Sequence, residues 1–211
     1  MSESIYTFKY QGKSKLQKIF LSSISIFSLF LLISLISTNF NVCSSVFATS
    51  KEVSMSTVKE ISVSSSAFKQ GQGIPTQYTA DGANVSPPLS WDTPPAGTKS
   101  FALICEDPDA PAGTWIHWIV YDIPANKTEL PQGVSAQKAL SDGTKQGITS
   151  FHRVGYGGPS PPPGKPHRYF FRIYALNSLS GLEPGIDLAK FNNLVRTHKI
   201  AEAEIMGTYG R

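Results

Sequence analysis

The apolar segments of residues 61–211 are short, and turn-forming residues separate them at close intervals. The clearest of these segments are rich in β-branched and aromatic side chains: Ile61–Val63, Phe101–Cys105, Trp115–Tyr121 and Tyr169–Leu176. Runs of this length and composition, bounded by glycine, proline, asparagine and aspartate, are typical of β-strands. The pattern therefore predicts a mostly β domain whose short strands are joined by ordered, proline-rich loops.

One of these segments and two others refine this prediction. Trp115–Tyr121 carries bulky side chains on both of its faces, which is typical of a central strand covered on each side. The segment Ile200–Gly207 alternates apolar residues with charged or small ones and predicts a final strand. Only Asp187–Thr197 shows convincing helical spacing, with apolar residues three and four positions apart.

The first 48 residues differ in kind from the rest of the chain. Basic residues, Lys9 to Lys18, precede an uncharged apolar run at residues 19–36, and this order is typical of a targeting signal. We expect secretion with cleavage after Ala48, although the run is also long enough to remain as a membrane anchor. Residues 49–60, rich in polar side chains, are expected to form a flexible tether, and residues 61–211 the folded domain. Both alternatives place that domain outside the cytoplasm.

Charge and cysteine content exclude two classes of protein. Residues 49–211 carry 15 basic and 14 acidic side chains, so no basic surface is expected for binding DNA or RNA. Cys43 lies in the segment expected to be removed, and Cys105 lies inside an apolar run. No intramolecular disulfide is then available, and the domain must be held together by its hydrophobic core.

Candidate functional residues gather around two rigid loops. Asp107 and Asp109 belong to the sequence Asp-Pro-Asp-Ala-Pro at the end of a predicted strand, and His117 lies on the next predicted strand. His167 begins another strand, directly after a long loop with several prolines. Arg168 and Arg172 share a face opposite to His167, where they could pair with a carboxylate such as Asp109. Carboxylates and imidazoles so placed serve metal binding, acid–base catalysis or anion binding.

The three chemistries make different demands. Asp107, His117 and His167 could ligate a metal, but no closely spaced pair of ligands fixes two of them on one element. Ser160 is the only serine in the adjoining loop, and no Gly-x-Ser-x-Gly sequence is present to activate a nucleophile. Anion binding needs only donors, which imidazoles, loop amides and an arginine provide. The residues therefore favour an anion pocket without a catalytic residue, a metal or a cofactor.

Several motifs in order resemble the phosphatidylethanolamine-binding protein family. They are Asp107–Pro111, Trp115–Trp118, the Gly-Pro-Ser-Pro-Pro loop, His167–Tyr169, Asn84–Trp91, Pro95–Ser100 and the segment Met206–Arg211. The chain is most similar to the bacterial and archaeal branch that resembles the Raf kinase inhibitor protein. The resemblance implies an antiparallel β-sandwich with one or two short peripheral helices over residues 61–211.

The resemblance also implies a small cavity that binds phosphate-like anions and phosphorylated head groups and has no settled chemical reaction. The cavity-lining residues of the family correspond to Asp107, His117, Pro162 and His167. Supporting positions in the resemblance are Asp109, Gly158, Arg168 and Tyr169, and the choice among Pro161, Pro162 and Pro163 stays open.

We therefore expect an exported, non-enzymatic binding protein for a small phosphorylated or anionic ligand, such as a lipid head group. An alternative is an interaction module that inhibits an extracellular hydrolase or kinase through its loops. A hydrolase is the third possibility.

Overall fold

The computed structural model describes residues 61–211, and the predicted signal segment and tether lie outside that range. The described residues form one α-helix, a 3-10 turn at Thr76–Tyr78 and short and long strands. The strands are β1 (Val63–Ser64), β2 (Leu89–Trp91), β3 (Ser100–Asp107), β4 (Trp115–Pro124), β5 (Glu129–Leu130), β6 (Lys145–Gln146), β7 (His167–Leu176) and β8 (Lys199–Tyr209).

These strands form two sheets. The smaller sheet has the order β1-β2-β5, and the larger has the order β6-β4-β3-β7-β8. Every pairing between these strands is antiparallel. The predicted mostly β, antiparallel sandwich is confirmed. Because neighbouring strands run in opposite directions, the C-terminal end of β3 and the N-terminal ends of β4 and β7 lie side by side at one end of the larger sheet.

The larger sheet is covered on both faces. One face packs Phe101, Trp118 and Phe171 into a cluster that also includes Leu89 and Trp91 from the smaller sheet. The other face packs a separate cluster against the helix α1 (Leu188–His198): Ala102, Ile104, Ile116, Ile119, Tyr121, Leu176, Ile186, Phe191 and Leu194. The two faces explain why the sequence of β4 is bulky at nearly every position, as a central strand requires.

The helix α1 begins one residue after its predicted start. Asp187 has extended backbone geometry, and its side chain accepts a hydrogen bond from the backbone amide of Lys190 at 2.8 Å. An aspartate in this position caps the free amides of a helix N-terminus. Phe191 and Leu194 form the buried face of the helix, as their spacing predicts.

The bounds of other elements differ from the prediction. The final strand runs from Lys199 to Tyr209, longer than the expected Ile200–Gly207, because its pairing with β7 extends from Lys199 to Tyr209 with one irregularity at Ile200. The first predicted strand shrinks to Val63–Ser64, since only these residues pair with β2. Cys105 is buried in the core, as expected. In residues 61–211, no helix combines the length and apolar character that crossing a membrane requires.

Candidate functional site

A cavity of about 400 Å³ lies where the end of β3 meets the starts of β4 and β7. Its walls include four residues predicted for the site: Asp107, His117, Pro162 and His167. The remaining lining residues are Ala110, Pro111, Ala112, Trp115, Phe151, Ser160, Pro161 and Tyr169. The structure thus brings together side chains from three strands and two loops, and most of the wall is apolar.

Asp107 is the last residue of β3 and is buried. Its Oδ1 accepts a hydrogen bond from the backbone amide of Asp109 at 2.8 Å, which folds the chain around Pro108 into a tight turn. Its Oδ2 lies 2.8 Å from Nδ1 of His167. Both oxygens therefore have partners, and Asp107 acts by holding the turn and the imidazole in place.

His117 occupies a bulge in β4. Cys105 pairs with Trp118 and Glu106 with Ile116, so His117 is an extra residue without a partner in β3. A bulge of this kind redirects a side chain away from the regular alternation of a strand. The imidazole packs edge-on against the rings of Phe151 and Tyr169, with centroid distances of 5.3 and 5.2 Å.

The imidazole of His117 is also held by a hydrogen bond between its Nδ1 and the carbonyl oxygen of Gly157, at 2.5 Å. In the neutral ring, Nδ1 then carries the proton and Nε2 is an acceptor. Burial lowers the pKa of His117 below its usual value of 6.5, and the Gly157 hydrogen bond and the Asp107 charge oppose this only in part. The ring is therefore neutral at pH 7.

Tyr169 is completely buried and lines the cavity. Its hydroxyl makes no hydrogen bond of standard geometry within residues 61–211, although the Asp107 side chain and the Ser160 backbone lie close enough to influence its pKa. Burial and, second, the negative charge of Asp107 raise the pKa of this phenol, so it remains protonated and able to donate. A buried hydroxyl without a partner is unfavourable, and a ligand oxygen in the cavity would relieve the cost.

The proline loop, residues 155–166, forms another part of the cavity wall. Pro161 is buried and Pro162 is exposed. Both line the cavity, so the family's cavity-lining proline cannot be assigned to one of them alone. Gly158 does not line it; its amide donates to Oδ1 of Asn84 at 2.7 Å. A Cβ at Gly158 would lie 2.6 Å from the carbonyl oxygen of Tyr78, so only glycine fits there.

Arg168 points away from the cavity and clamps Asp109. Its guanidinium donates to both carboxylate oxygens, at 2.8 and 2.7 Å, and its backbone amide donates to Oδ2 at 3.0 Å. The hydrogen bonds from the Arg168 side chain lower the pKa of Asp109 to about 2. The predicted ion pair with Asp109 is confirmed for Arg168, whereas Arg172 pairs with Glu106 and Glu204 instead. Arg168 therefore ties the Asp-Pro-Asp turn to β7.

Sequence reasoning missed residues that shape the site through the backbone or through aromatic packing. Gly157 and Asn84 hold His117 and the proline loop through backbone hydrogen bonds, which leave no periodic signal in a sequence. Trp115 and Phe151, packed edge-on at 5.5 Å, form the aromatic wall. Asn84 has a left-handed backbone with φ of 56°, and the Asn-Val-Ser-Pro-Pro stretch around it was the one available signal.

Two catalytic alternatives, a metal site and a serine nucleophile, can be compared with the geometry. Across residues 61–211, no three side chains of histidine, cysteine, aspartate or glutamate are grouped so that they could hold a metal ion. Ser160 lines the cavity, but its hydroxyl makes no hydrogen bond to either imidazole in the described part of the chain. What the arrangement offers instead is a set of hydrogen-bonding groups in a preformed, mostly apolar cavity.

Comparison with known proteins places the chain in a family. The sequence model of the phosphatidylethanolamine-binding proteins matches residues 64–210. The chain belongs to the phosphatidylethanolamine-binding protein family. It is 46% identical over 145 residues to a UPF0098 protein of Methanothermobacter thermautotrophicus, covering 69% of this chain and 95% of the relative. It is 40% identical over 153 residues to the UPF0098 protein YbhB of Escherichia coli, covering 69% of this chain and 97% of that protein.

A solved structure agrees with this assignment. Escherichia coli YbcL, described as a member of the mammalian phosphatidylethanolamine-binding protein family, is similar with a TM-score of 0.67 and 36% identity. The match covers 72% of this chain and 99% of YbcL. The predicted branch, whose members are similar to YbhB and YbcL, is confirmed.

Proposed function

We propose that residues 61–211 bind a phosphate-like anion or a phosphorylated head group in this cavity. The observation that carries the proposal is that Tyr169 lines the cavity beside two imidazoles and that its buried hydroxyl has no hydrogen-bond partner of standard geometry within residues 61–211. Polar groups are seldom buried without partners, because the lost hydrogen bonds to water are costly. The oxygens of a small anion would accept hydrogen bonds from these groups.

The two imidazoles are suited to different parts of this task. Asp107 holds Nδ1 of His167, so the protonated ring would present its Nε2 proton to an anion while the carboxylate stabilises the ring's charge. His117 is neutral in the empty cavity because burial lowers its pKa. A bound anion would replace the lost solvation, favour protonation of His117 and so couple binding to proton uptake.

The family name supports the phosphorylated ligand. Phosphatidylethanolamine, after which the family is named, carries a phosphate group, and the family model matches residues 64–210. The apolar wall formed by Trp115, Phe151 and Pro111 would contact the carbon atoms that adjoin such a phosphate. We therefore propose the phosphoryl group as the part of the ligand that is recognised inside the cavity.

We also propose that the site binds its ligand without turning it over. A serine nucleophile requires a base within hydrogen-bonding distance, and Ser160 has no such contact in the part of the chain that the structure describes. Cys105 is buried in the core, and burial raises the pKa of its thiol well above the usual value, which disfavours the reactive thiolate. These features support a binding role.

The test is a titration of the domain with inorganic phosphate and phosphoethanolamine, followed by NMR of the histidine rings. We expect the signals of His117 and His167 to shift at millimolar ligand. The other two of the four histidines, His152 and His198, do not line this cavity and serve as internal controls. Chloride at equal ionic strength should cause no shift. If all four rings respond alike, or none responds, the anion site is wrong.

Export is a separate part of the proposal and is supported by the basic and apolar order of residues 9–36. The mass of the protein recovered from cell fractions tests it. Loss of residues 1–48 in the extracytoplasmic fraction would support cleavage after Ala48, and full length in the membrane fraction would support an anchor. Full-length protein in the cytoplasm alone would overturn export.

A further inference from the structure

A second depression adjoins the anion cavity. It has a volume of about 330 Å³ and is lined by Asp109, Pro162, Pro163, Lys165, Pro166 and His167. Pro162 and His167 line both spaces, so the two are separated by one shared wall. The second space is thus a neighbouring volume into which the far end of a ligand can extend when its phosphoryl group occupies the first space.

The second depression carries one positive charge, that of Lys165, which forms no ion pair with any residue that the structure describes. The carboxylate of Asp109 is already bound on both oxygens by Arg168. Lys165 is exposed and takes part in none of the ion pairs formed within residues 61–211. The three prolines have no backbone N–H to offer a ligand. The ammonium of Lys165 is therefore the main donor available there.

The backbone keeps Lys165 close to the cavity. Only one residue separates it from His167, so the two Cα atoms lie at most about 7 Å apart. That residue is Pro166, whose ring restricts the backbone, and the amide of Gly164 donates to the carbonyl oxygen of Arg211 at 3.4 Å. Because the backbone is restricted, contact with a ligand has to order only the lysine side chain and not the loop that carries it.

We propose that the ligand is a small phosphorylated molecule with a second acidic group, and that Lys165 in the adjoining depression recognises that second group. This inference rests on the proposed anion site, which would hold the phosphoryl group beside His167. The short separation of Lys165 from His167 requires both acidic groups to belong to one small scaffold. Lys165 then determines specificity, because a phosphate ester with a neutral substituent gains nothing from it.

A matched pair of compounds tests the proposal on residues 61–211. Glycerol 3-phosphate and 3-phosphoglycerate share a phosphate monoester on three carbons and differ in a hydroxymethyl group against a carboxylate. At constant ionic strength, calorimetry should show that 3-phosphoglycerate binds about twofold to fivefold more tightly, the range expected for one exposed charge pair. The Lys165→Gln variant should abolish this preference for 3-phosphoglycerate over glycerol 3-phosphate.

The control is Lys99→Gln, which removes the same charge from an exposed position just before the opposite end of β3. Strand geometry places Lys99 more than about 20 Å from Asp107, so the preference should survive. If Lys99→Gln removes the preference as well, the effect is one of net charge and the inference is overturned. Equal affinities in the unmodified domain would overturn it while leaving the anion site standing, whereas binding of neither compound would overturn the anion site itself.

Phosphate with a second acidic group also occurs in lipid head groups. A third titration with glycerophosphoserine, a phosphodiester that carries a carboxylate, separates this source from a free monoester. Tighter Lys165-dependent binding of glycerophosphoserine assigns the site to an acidic lipid, and tighter Lys165-dependent binding of 3-phosphoglycerate assigns it to a soluble metabolite. Binding of both compounds without dependence on Lys165 contradicts the inference.

Discussion

His117 and Gly157 are joined twice: the amide of Gly157 donates to the carbonyl oxygen of His117 at 2.9 Å, and the ring of His117 bonds to the carbonyl oxygen of Gly157 at 2.5 Å. The first bond fixes the loop to the strand, and the second fixes the ring to the loop. The bulged residue of β4 and the start of the proline loop therefore move as one unit, and a change in either is expected to alter the cavity.

The Gly157→Ala variant tests whether the proline loop and the bulge in β4 depend on each other. A Cβ at Gly157 would lie 2.4 Å from the ring of Phe151, so the loop or the ring must move. We expect a loss of about 1–3 kcal/mol in the free energy of unfolding, the usual range for overpacking, together with weaker phosphate binding. Denaturant unfolding and phosphate titration measure the two effects. Gly73→Ala is the matched control because a Cβ there meets nothing within 4 Å; equal losses in both variants would contradict the argument.

Tyr169→Phe separates stability from binding. Its hydroxyl has no partner in the described residues, so removing it should leave the free energy of unfolding unchanged or raise it, while phosphate binding weakens. Tyr156→Phe is the comparison, because that hydroxyl donates to the carbonyl oxygen of Tyr78 at 2.8 Å. We expect Tyr156→Phe to lower the free energy of unfolding by about 1 kcal/mol. A destabilised Tyr169→Phe domain would show that the hydroxyl has a structural partner.

The lowered pKa of His117 predicts how stability depends on pH. The unfolded chain takes up a proton near the usual pKa of 6.5, whereas the folded, ligand-free domain resists protonation because the ring is buried. The unfolded state therefore binds more protons below pH 6.5, and the free energy of unfolding should fall as the pH decreases from there through the lower folded pKa. Thermal unfolding of the domain and of His117→Phe between pH 7 and pH 5 measures this loss of stability.

Phosphate should oppose this pH effect. An anion beside His117 raises the pKa of the ring, so phosphate affinity should increase as the pH falls toward 6 and decrease as it rises. The His117→Phe variant should show a flatter pH dependence of binding. Phosphate itself titrates in this range, so the comparison is between proteins: the same pH dependence of phosphate affinity in His117→Phe and in the unmodified domain would show that His117 does not change its protonation on binding.

Arg211 does not line the cavity but holds the proline loop that does. Its guanidinium donates to both oxygens of Asp81, at 2.8 and 2.5 Å, and to the carbonyl oxygen of Pro161 at 3.4 Å. We expect Arg211→Ala to weaken phosphate binding about twofold to fivefold and to change the free energy of unfolding little, because an exposed ion pair contributes little to stability. Arg196→Ala, on an exposed face of α1, is the control. Unchanged phosphate affinity in Arg211→Ala would exclude the positioning role.

Long strands were predictable because their side chains leave a pattern in the sequence. Trp115–Tyr121 and Tyr169–Leu176 both lie within strands of the large sheet, and Asp187–Thr197 contains most of α1. The strands β5 and β6 have two residues each, too few to produce an alternation. Their existence depends on partners elsewhere in the chain, so no local pattern indicates them.

The candidate site was predictable where side chains form it and not where the backbone does. Asp107, His117, Pro162 and His167 all line the cavity. The bulge that turns His117 toward the cavity depends on the register between β3 and β4, which a period of two residues along one strand cannot show. The contact between Asn84 and the amide of Gly158 spans 74 residues and was equally hidden.

The bonds around the cavity also determine when it can form. His167 and Asp107 are 60 positions apart and cannot meet until β7 has begun, and Asp81 and Arg211 are 130 apart and cannot meet until β8 has been synthesised. Contacts so distant in sequence form late, because closing long loops of chain is entropically costly. A ribosome-bound chain that stops before β7 would lack His167 and Tyr169 and would therefore have no complete cavity, so ligand binding reports that β7 has joined the sheet.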